Sequence, residues 1–232
     1  MSPLCDPARL LERLGDPDLL VVDCQWRLAE PGAGERDYLA AHIPGAAHLD
    51  VSEDLSAPPG AGGRHPLPEP EIFALAARRA GIGAASEVVA YDEDGAGGAA
   101  RLWWLLRHFG HESARVLDGG LRAWRELGGP LASGPERIDP GDFSPGAPAA
   151  DIAGAGELRE RLGAEGEAVA YCGSGVSACT RVLAAEAAGL PRPRLYPGSW
   201  SEWSGLGLPV ERQQSARSTP SRSSGPGGAD SR

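Results

Sequence analysis

Short apolar runs alternate along the chain with segments in which apolar residues recur at helical spacing. Runs rich in Val, Leu and Ala are typical of strands buried on both faces of a parallel sheet, and the longer periodic segments predict helices packed against it. The first half is therefore predicted to be an α/β domain. The predicted elements are a helix from Asp6 to about Leu14, strands at 19–23, 87–91 and 115–117, and helices at about 71–80, 99–109 and 121–127.

The pattern occurs twice. The segment 87–95 recurs 80 positions later as 167–175, and the segment 120–124 recurs 79 positions later as 199–203. An internal repeat on this scale indicates two copies of one α/β unit, each with a strand, a loop and a following helix.

The repeat divides the chain into a first unit over 1–133 and a second over 149–211, joined by a linker at 134–148 that contains four prolines. The second unit is abbreviated, because only about 33 residues lie between the start of the linker and its strand at 168–171, whereas 86 precede the matching strand of the first copy. A strand lost from a sheet removes ladder partners from its neighbours. The Ser-, Arg- and Gly-rich residues 212–232 are predicted to be disordered.

Composition narrows the function classes. All 22 basic residues are arginine, which excludes a P-loop lysine and Schiff-base chemistry such as that of pyridoxal phosphate, and no cofactor is predicted. The net charge of −10 disfavours nucleic acids and anionic membranes as partners.

No apolar window approaches the roughly 18 residues of a membrane helix, and the first residues lack the features of a leader. We therefore expect a cytoplasmic protein with reduced thiols.

The candidate chemistry lies in the loop between the strand of the second copy and its helix, predicted at 177–188. Cys172 follows the strand, and Gly173 and Gly175 allow the backbone to curl around its sulfur. Backbone N–H groups of such a loop and the start of the helix favour a thiolate. In the first copy Asp92 occupies the matching position, so only the second copy carries a nucleophile.

Other kinds of cysteine site are disfavoured. A cysteine phosphatase needs an arginine six residues after the cysteine, and that position is Ala178. All five histidines lie in the first half, so any Cys–His pair must join the two copies. No metal site is predicted, because the four cysteines form no closely spaced pair. They are Cys5, Cys24, Cys172 and Cys179.

These motifs resemble tandem-domain sulfurtransferases of the rhodanese superfamily, in particular the 3-mercaptopyruvate type. The resemblance implies an α/β fold with two rhodanese-like parallel-sheet domains flanked by helices, the second abbreviated. Gly173 and Ser174 stand where thiosulfate-type rhodaneses carry basic residues, which favours 3-mercaptopyruvate as donor. The segments that carry the resemblance are 42–46, 101–104, 117–121, 172–178 and 196–203.

The resemblance implies sulfur transfer in two steps. The Cys172 thiolate takes a sulfur atom from 3-mercaptopyruvate or thiosulfate, and the resulting persulfide passes it to a thiol or to cyanide, with a thioredoxin-like reductant as a candidate partner. Ser174 is implied as a proton relay oriented by His65, whose carboxylate partner falls at or near Ser52. For Ser174 and Ser177 the alternative is helix capping, and for His65 it is an exposed loop position.

The loop 172–178 is called the active loop below. Substrate contacts are expected from its residues Gly173, Gly175, Val176 and Ser177. The arginines with which the family grips the substrate carboxylate have no counterpart in the shortened copy. Two other arginines are candidates to replace them. They are Arg64 and Arg181. Two further hypotheses remain: a persulfide carrier or redox module without turnover, and a degenerate scaffold that lacks the substrate clamp.

Overall fold

Five parallel strands form the sheet of the first half, with helices on both faces, and from one edge to the other they are β1 (Leu4–Cys5), β5 (Ala114–Leu117), β4 (Glu87–Tyr91), β2 (Leu19–Asp23) and β3 (Ala47–His48). The structure is a computed structural model that describes residues 2–95, 97–162 and 166–211, so the predicted disordered tail lies outside the described residues. The helices are α1 Pro7–Glu12, α2 Ala33–Ala40, α3 Pro70–Arg79, α4 Gly98–His108 and α5 Gly120–Glu126.

The predicted elements of this half are all present, and three short ones are additional. The central strands β2 and β4 pair along all five residues, as expected for apolar runs covered on both faces. Helix α1 begins after Asp6, whose carboxylate accepts hydrogen bonds from the N–H groups of Ala8 and Arg9. Strands β1 and β3 have two residues each and carry no periodicity, and α2 follows Gly32 without a side-chain cap.

The second copy repeats the order of elements with one omission. Strands β6 (Val169–Ala170) and β7 (Arg194–Leu195) alternate with helices α7 (Ala178–Ala187) and α8 (Ser199–Gly205). Helix α6 (Ala155–Glu160) lies near the start of the second copy, as α1 lies near the start of the first. Seventy-four residues separate α1 from β4, whereas eight separate α6 from β6. Within the described ranges the second copy therefore has no counterparts of β2, α2, β3 and α3.

Individual hydrogen bonds recur at the repeat spacing. The indole of Trp124 donates to the carbonyl of Pro130 at 2.9 Å, and the indole of Trp203 donates to that of Pro209 at 3.0 Å. An isolated parallel bridge stands beside β7 as β1 stands beside β5. The two copies therefore fold alike wherever both are present.

One hydrophobic cluster joins the copies. Helix α4 packs against α7, and the fully buried Trp103 and Trp104 of α4 share the cluster with Val182 and Leu183 of α7. This contact holds residues of the first half beside the loop that precedes α7. In the described part of the chain, no helix has the length and apolar character needed to cross a membrane.

Among the described residues, no element covers the face of the second copy that corresponds to the face packed by β2 and the 42–46 segment in the first. In the first copy Val21 and Ile43 close the cluster that contains Tyr91. The corresponding face of the second copy lines an open groove of about 510 Å³ that includes Tyr171 and Trp200. Tyr171 is 60% exposed, whereas Tyr91 at the same repeat position is fully buried.

This difference predicts unequal costs for the same substitution in the two copies. Tyr171→Ala should lower the free energy of unfolding by less than about 1 kcal/mol, because a side chain already in water loses little burial. The matched Tyr91→Ala should cost about 3–5 kcal/mol, as buried aromatic residues do. Urea unfolding of both variants measures the two costs, and equal costs would mean that the groove is covered in solution.

Candidate active site

Cys172 lies two residues after the end of β6, and α7 begins six residues after Cys172. The N–H of Gly175 donates to the Cys172 Sγ at 3.1 Å, and the nearby Ser177 hydroxyl and the N–H groups of Ser174 and Ala178 act on the thiol in the same direction by lowering its pKa. Burial raises the pKa of the Cys172 thiol, but these hydrogen bonds outweigh it and hold the pKa below its ordinary value. The loop therefore favours the thiolate.

The side chains of the active loop have different surroundings. Ser177 precedes α7 but forms no side-chain cap, and its hydroxyl helps to lower the pKa of the Cys172 thiol. Val176 is buried in the hydrophobic cluster, so it anchors the loop and offers only its backbone to a substrate. Ser174 is buried, while Gly173 is exposed at the surface of the loop.

Position 175 accommodates glycine but no residue with a side chain. Its φ of 89° lies in the left-handed region, which favours glycine. A Cβ at this position would also collide with the carbonyl oxygen of Pro197. Because the N–H of Gly175 donates to the Cys172 sulfur, the conformation that only glycine adopts here also places a donor on the thiolate.

Ser199 supports the loop through its hydroxyl, which accepts from the N–H of Cys172 at 3.2 Å and donates to the carbonyl of Tyr196 at 2.8 Å. It is the one non-glycine residue with positive φ among the described residues, at 49°. Gly120, with φ 61°, stands at the same position in the first copy. A serine in a strained backbone conformation, at the position where the first copy has Gly120, points to a role of Ser199 in the site. The replacement of glycine by serine between the two copies is the sequence signal that could have identified Ser199.

Arg64, from the first half, lies beside the active loop. Its N–H donates to the Ser201 hydroxyl at 3.0 Å. Its side chain is exposed, and its Nη2 lies 3.1 Å from the point that a Cβ of Gly173 would occupy. Arg181, the other candidate arginine, is exposed on α7, and its side chain forms no hydrogen bond or ion pair within the ranges described.

His65 is a buried residue, 7% exposed, rather than an exposed loop histidine. Its ring meets that of Trp26 edge-on, with centroids 5.2 Å apart. Burial lowers the pKa of His65, and the charges of Arg101 and Arg64 lower it further. The imidazole is therefore neutral at pH 7.

The expected partners of His65 are not bonded to it. Ser52, the implied position of the carboxylate partner, accepts a hydrogen bond from the Trp26 indole at 3.0 Å. The His65 Nδ1 has no hydrogen-bond partner among the described residues. The structure thus brings His65 to the interface between the copies without assembling the implied relay.

A cysteine whose sulfur accepts a backbone N–H thus lies in a duplicated, parallel α/β unit, and the comparisons agree with this arrangement. A model of the rhodanese-like domain matches residues 6–127. A relative from Pseudomonas aeruginosa, named "Probable 3-mercaptopyruvate sulfurtransferase", is 36% identical over 269 positions that cover 87% of this chain and 95% of the relative. The chain belongs to the rhodanese family.

Two further relatives support the fold of this rhodanese and show that it is shorter than they are. The 3-mercaptopyruvate sulfurtransferase of Escherichia coli K12 is 31% identical over 274 positions, covering 87% of this chain and 95% of the relative. The solved structure of 3-mercaptopyruvate sulfurtransferase from Leishmania major matches with a TM-score of 0.76 at 26% identity, covering 88% of this chain and 75% of that one. Both sequence alignments exceed the 232 residues of this rhodanese, so it lacks residues that these relatives have.

Arg101 was not among the predicted site residues of this rhodanese. It lies on α4, is fully buried, and bonds to the backbone of both His65 and Gly175. The available signal was a charged residue in the middle of the apolar stretch that runs from Gly98 to Leu106 of α4, because such a residue needs buried partners.

Proposed function

We propose that this rhodanese is a sulfurtransferase that moves a sulfur atom from 3-mercaptopyruvate, or from thiosulfate, to a thiol or to cyanide through a persulfide on Cys172. The observation that carries the proposal is the half-buried Cys172 thiol, whose sulfur accepts hydrogen bonds from the active loop and whose pKa is lowered by them. The names of the relatives support 3-mercaptopyruvate as the donor.

Each step of the proposed transfer leaves negative charge where the loop has donors. The Cys172 thiolate attacks the donor sulfur, an S–S bond forms, and the C–S electron pair leaves with the carbon as the enolate of pyruvate, which then takes up a proton. An acceptor thiolate or cyanide next attacks the outer sulfur, and the S–S electron pair returns to Cys172. Donors fixed in advance stabilise these charges without reorganisation.

Ser174 and His65 are the proposed route for the proton. Ser174 is buried in the loop, and its N–H helps to lower the pKa of the Cys172 thiol. In the proposed route the S–H proton of the new persulfide passes to the Ser174 hydroxyl while that hydroxyl gives its own proton to the enolate, and the neutral imidazole of His65 orients the hydroxyl through a hydrogen bond. Hydrogen bonds of this kind often tighten only when substrate is bound. Ser174→Ala should therefore lower kcat for pyruvate release, and an unchanged kcat would exclude the relay.

Arg64 is the proposed clamp for the donor carboxylate, because its exposed guanidinium stands at the active loop and a guanidinium binds a carboxylate bidentately. Arg64→Gln should raise KM for 3-mercaptopyruvate about tenfold, the effect of losing one charge-assisted hydrogen bond. Alkylation of Cys172 by uncharged iodoacetamide should change less than about twofold. Arg181→Gln tests the second candidate, and a rise in KM there, without one at Arg64, would contradict the assignment.

Pyruvate release tests the function itself. Purified protein should release pyruvate from 3-mercaptopyruvate over many turnovers with cyanide as acceptor, at a higher kcat/KM than for thiosulfate, because Gly173 and Ser174 add no cation to the loop. No turnover with either donor would contradict the proposal. One sulfur atom retained on Cys172 without turnover would instead identify a persulfide carrier.

The proposal includes a reducing, cytoplasmic setting and a thioredoxin-like dithiol as a physiological acceptor. All four cysteines are free, and thiols stay reduced in the cytosol. Sulfide release when a reduced dithiol protein is added to the persulfide form would support this acceptor. A persulfide that is stable to the dithiol would exclude it.

A further inference from the structure

Arg101 lies where three backbone segments of the active site meet. Its Nε donates to the carbonyl of Leu55 at 3.2 Å. Its Nη2 donates to the carbonyls of His65 at 3.2 Å and Pro66 at 3.3 Å. Its Nη1 donates to the carbonyl of Gly175 at 3.4 Å. One guanidinium therefore connects the His65 segment of the first half to the active loop of the second.

The charge of Arg101 has no carboxylate beside it. All four hydrogen-bond acceptors are neutral carbonyls, and no ion pair of Arg101 occurs in the described part of the chain. Burial lowers the pKa of the guanidinium, while the neighbouring Cys179 and Cys172 act in the opposite direction, and arginine remains protonated in proteins. A buried charge without a counter-ion is costly, so a negative charge that forms nearby is favoured. The Cys172 thiolate is such a charge.

Gly175 links Arg101 to the reacting sulfur. Its N–H donates to the Cys172 Sγ at 3.1 Å, and its carbonyl accepts from Arg101 and, at 3.6 Å, from the Cys179 thiol. The residue is thus held on both sides, so a shift of the guanidinium is expected to displace the donor on the sulfur.

Arg181 shows that this arrangement belongs to the site rather than to the repeat. It stands 80 positions after Arg101, at the same place in the second copy, and it is exposed. Within the part of the second copy that the structure describes, nothing corresponds to the segment 55–66, which contacts Arg101.

We propose that Arg101 is a positioning residue for sulfur transfer, which holds the active loop against the His65 segment and supplies positive charge that offsets the Cys172 thiolate and persulfide. The sulfur-transfer part rests on the proposed function. The effect on the thiolate does not, because it concerns the resting protein.

The test compares Arg101→Met, Arg101→Lys and the control Arg107→Met by the pH dependence of Cys172 alkylation with iodoacetamide, followed by peptide mass spectrometry. Arg101→Met should raise the alkylation midpoint by about one pH unit and lower kcat/KM for 3-mercaptopyruvate about a hundredfold. Arg101→Lys keeps the charge but not the planar fork, so the midpoint should move less than about half a unit while kcat/KM falls about tenfold.

Arg107→Met is the matched control. Arg107 is on the same helix and pairs with Glu186 of α7 at 3.5 Å, so its replacement removes a cation from the contact between the copies without touching the active loop. Its alkylation midpoint should equal that of the wild-type protein, and its kcat/KM should stay within about twofold of the wild-type value. An equal effect at Arg107 would assign the losses to the contact between helices and overturn the proposal.

Two further outcomes decide the remaining cases. The proposal would be overturned if both Arg101 variants kept the wild-type alkylation midpoint and a kcat/KM within about threefold of the wild-type value. Where Arg101→Met does not fold, Arg101→Lys with a native circular dichroism spectrum decides through its kcat/KM. Where the wild-type protein shows no turnover, the proposed function fails, and the role of Arg101 is decided by the alkylation midpoint alone.

Discussion

Replacement of Cys172 by Ser is expected to lower the rate of pyruvate release from 3-mercaptopyruvate at least about a thousandfold. A serine hydroxyl accepts the same N–H groups of the loop, so the fold should be retained. It does not ionise near neutral pH, however, and it cannot form a persulfide. Steady-state pyruvate assays at matched protein concentration measure the loss.

Cys5→Ala is the control for this variant. Cys5 is a buried thiol in β1, in a cluster separate from the active loop, and its replacement should leave turnover within about twofold per folded molecule. More than about a tenth of wild-type activity in Cys172→Ser would exclude Cys172 as the nucleophile.

Gly175→Ala is expected to lower kcat/KM for 3-mercaptopyruvate about a hundredfold and to move the alkylation midpoint of Cys172 to higher pH. The added Cβ would collide with the Pro197 carbonyl, and φ 89° is unfavourable for alanine. The loop must shift, and the N–H that donates to the sulfur shifts with it.

The direction of the pH effect follows from the hydrogen bonds. In the wild-type protein they lower the pKa of the Cys172 thiol, so the thiolate forms at a lower pH than in an ordinary cysteine, and the alkylation rate rises as the pH rises through that pKa. Fewer donors in Gly175→Ala raise the pKa, and the rising part of the profile moves upward. Alkylation rates from pH 5 to 10 locate both midpoints.

Gly173→Ala provides the comparison within the same loop. Gly173 has no positive φ, and its Cβ would meet only the end of the Arg64 side chain, which can move. The alkylation midpoint should therefore change less in this variant than in Gly175→Ala. Equal midpoints in the wild type and in Gly175→Ala would contradict the role given to the Gly175 N–H.

The parts of the fold that could be predicted are those in which neighbouring residues carry the information. Strands β2 and β4 have the predicted bounds because each is a run of four apolar residues with one acidic residue at an end, and the repeat spacing predicted the shortened second copy. The two-residue strands β1, β3 and β7 have no periodicity of their own. They exist because a neighbouring strand supplies hydrogen-bond partners, which is tertiary information.

The active site shows the same limit. The loop from Cys172 to Ala178 could be predicted because its donors are contiguous in sequence. Arg101 reaches Gly175 only because α4 packs against α7, and Ser199 contributes through a backbone conformation that serine rarely adopts. No sequence pattern predicts either contact. The sequence shows only that each residue is unusual at its position, an arginine within an apolar stretch of helix and a serine where the first copy has glycine.

Formation of the Cys172 persulfide is the central claim, and one measurement tests it directly. The protein is exposed to 3-mercaptopyruvate without acceptor, alkylated, and mapped by peptide mass spectrometry. We predict a gain of one sulfur atom on the Cys172 peptide, accompanied by one equivalent of pyruvate and reversed by cyanide with release of thiocyanate. An unmodified Cys172, with the sulfur absent or on Cys5, Cys24 or Cys179, would contradict it.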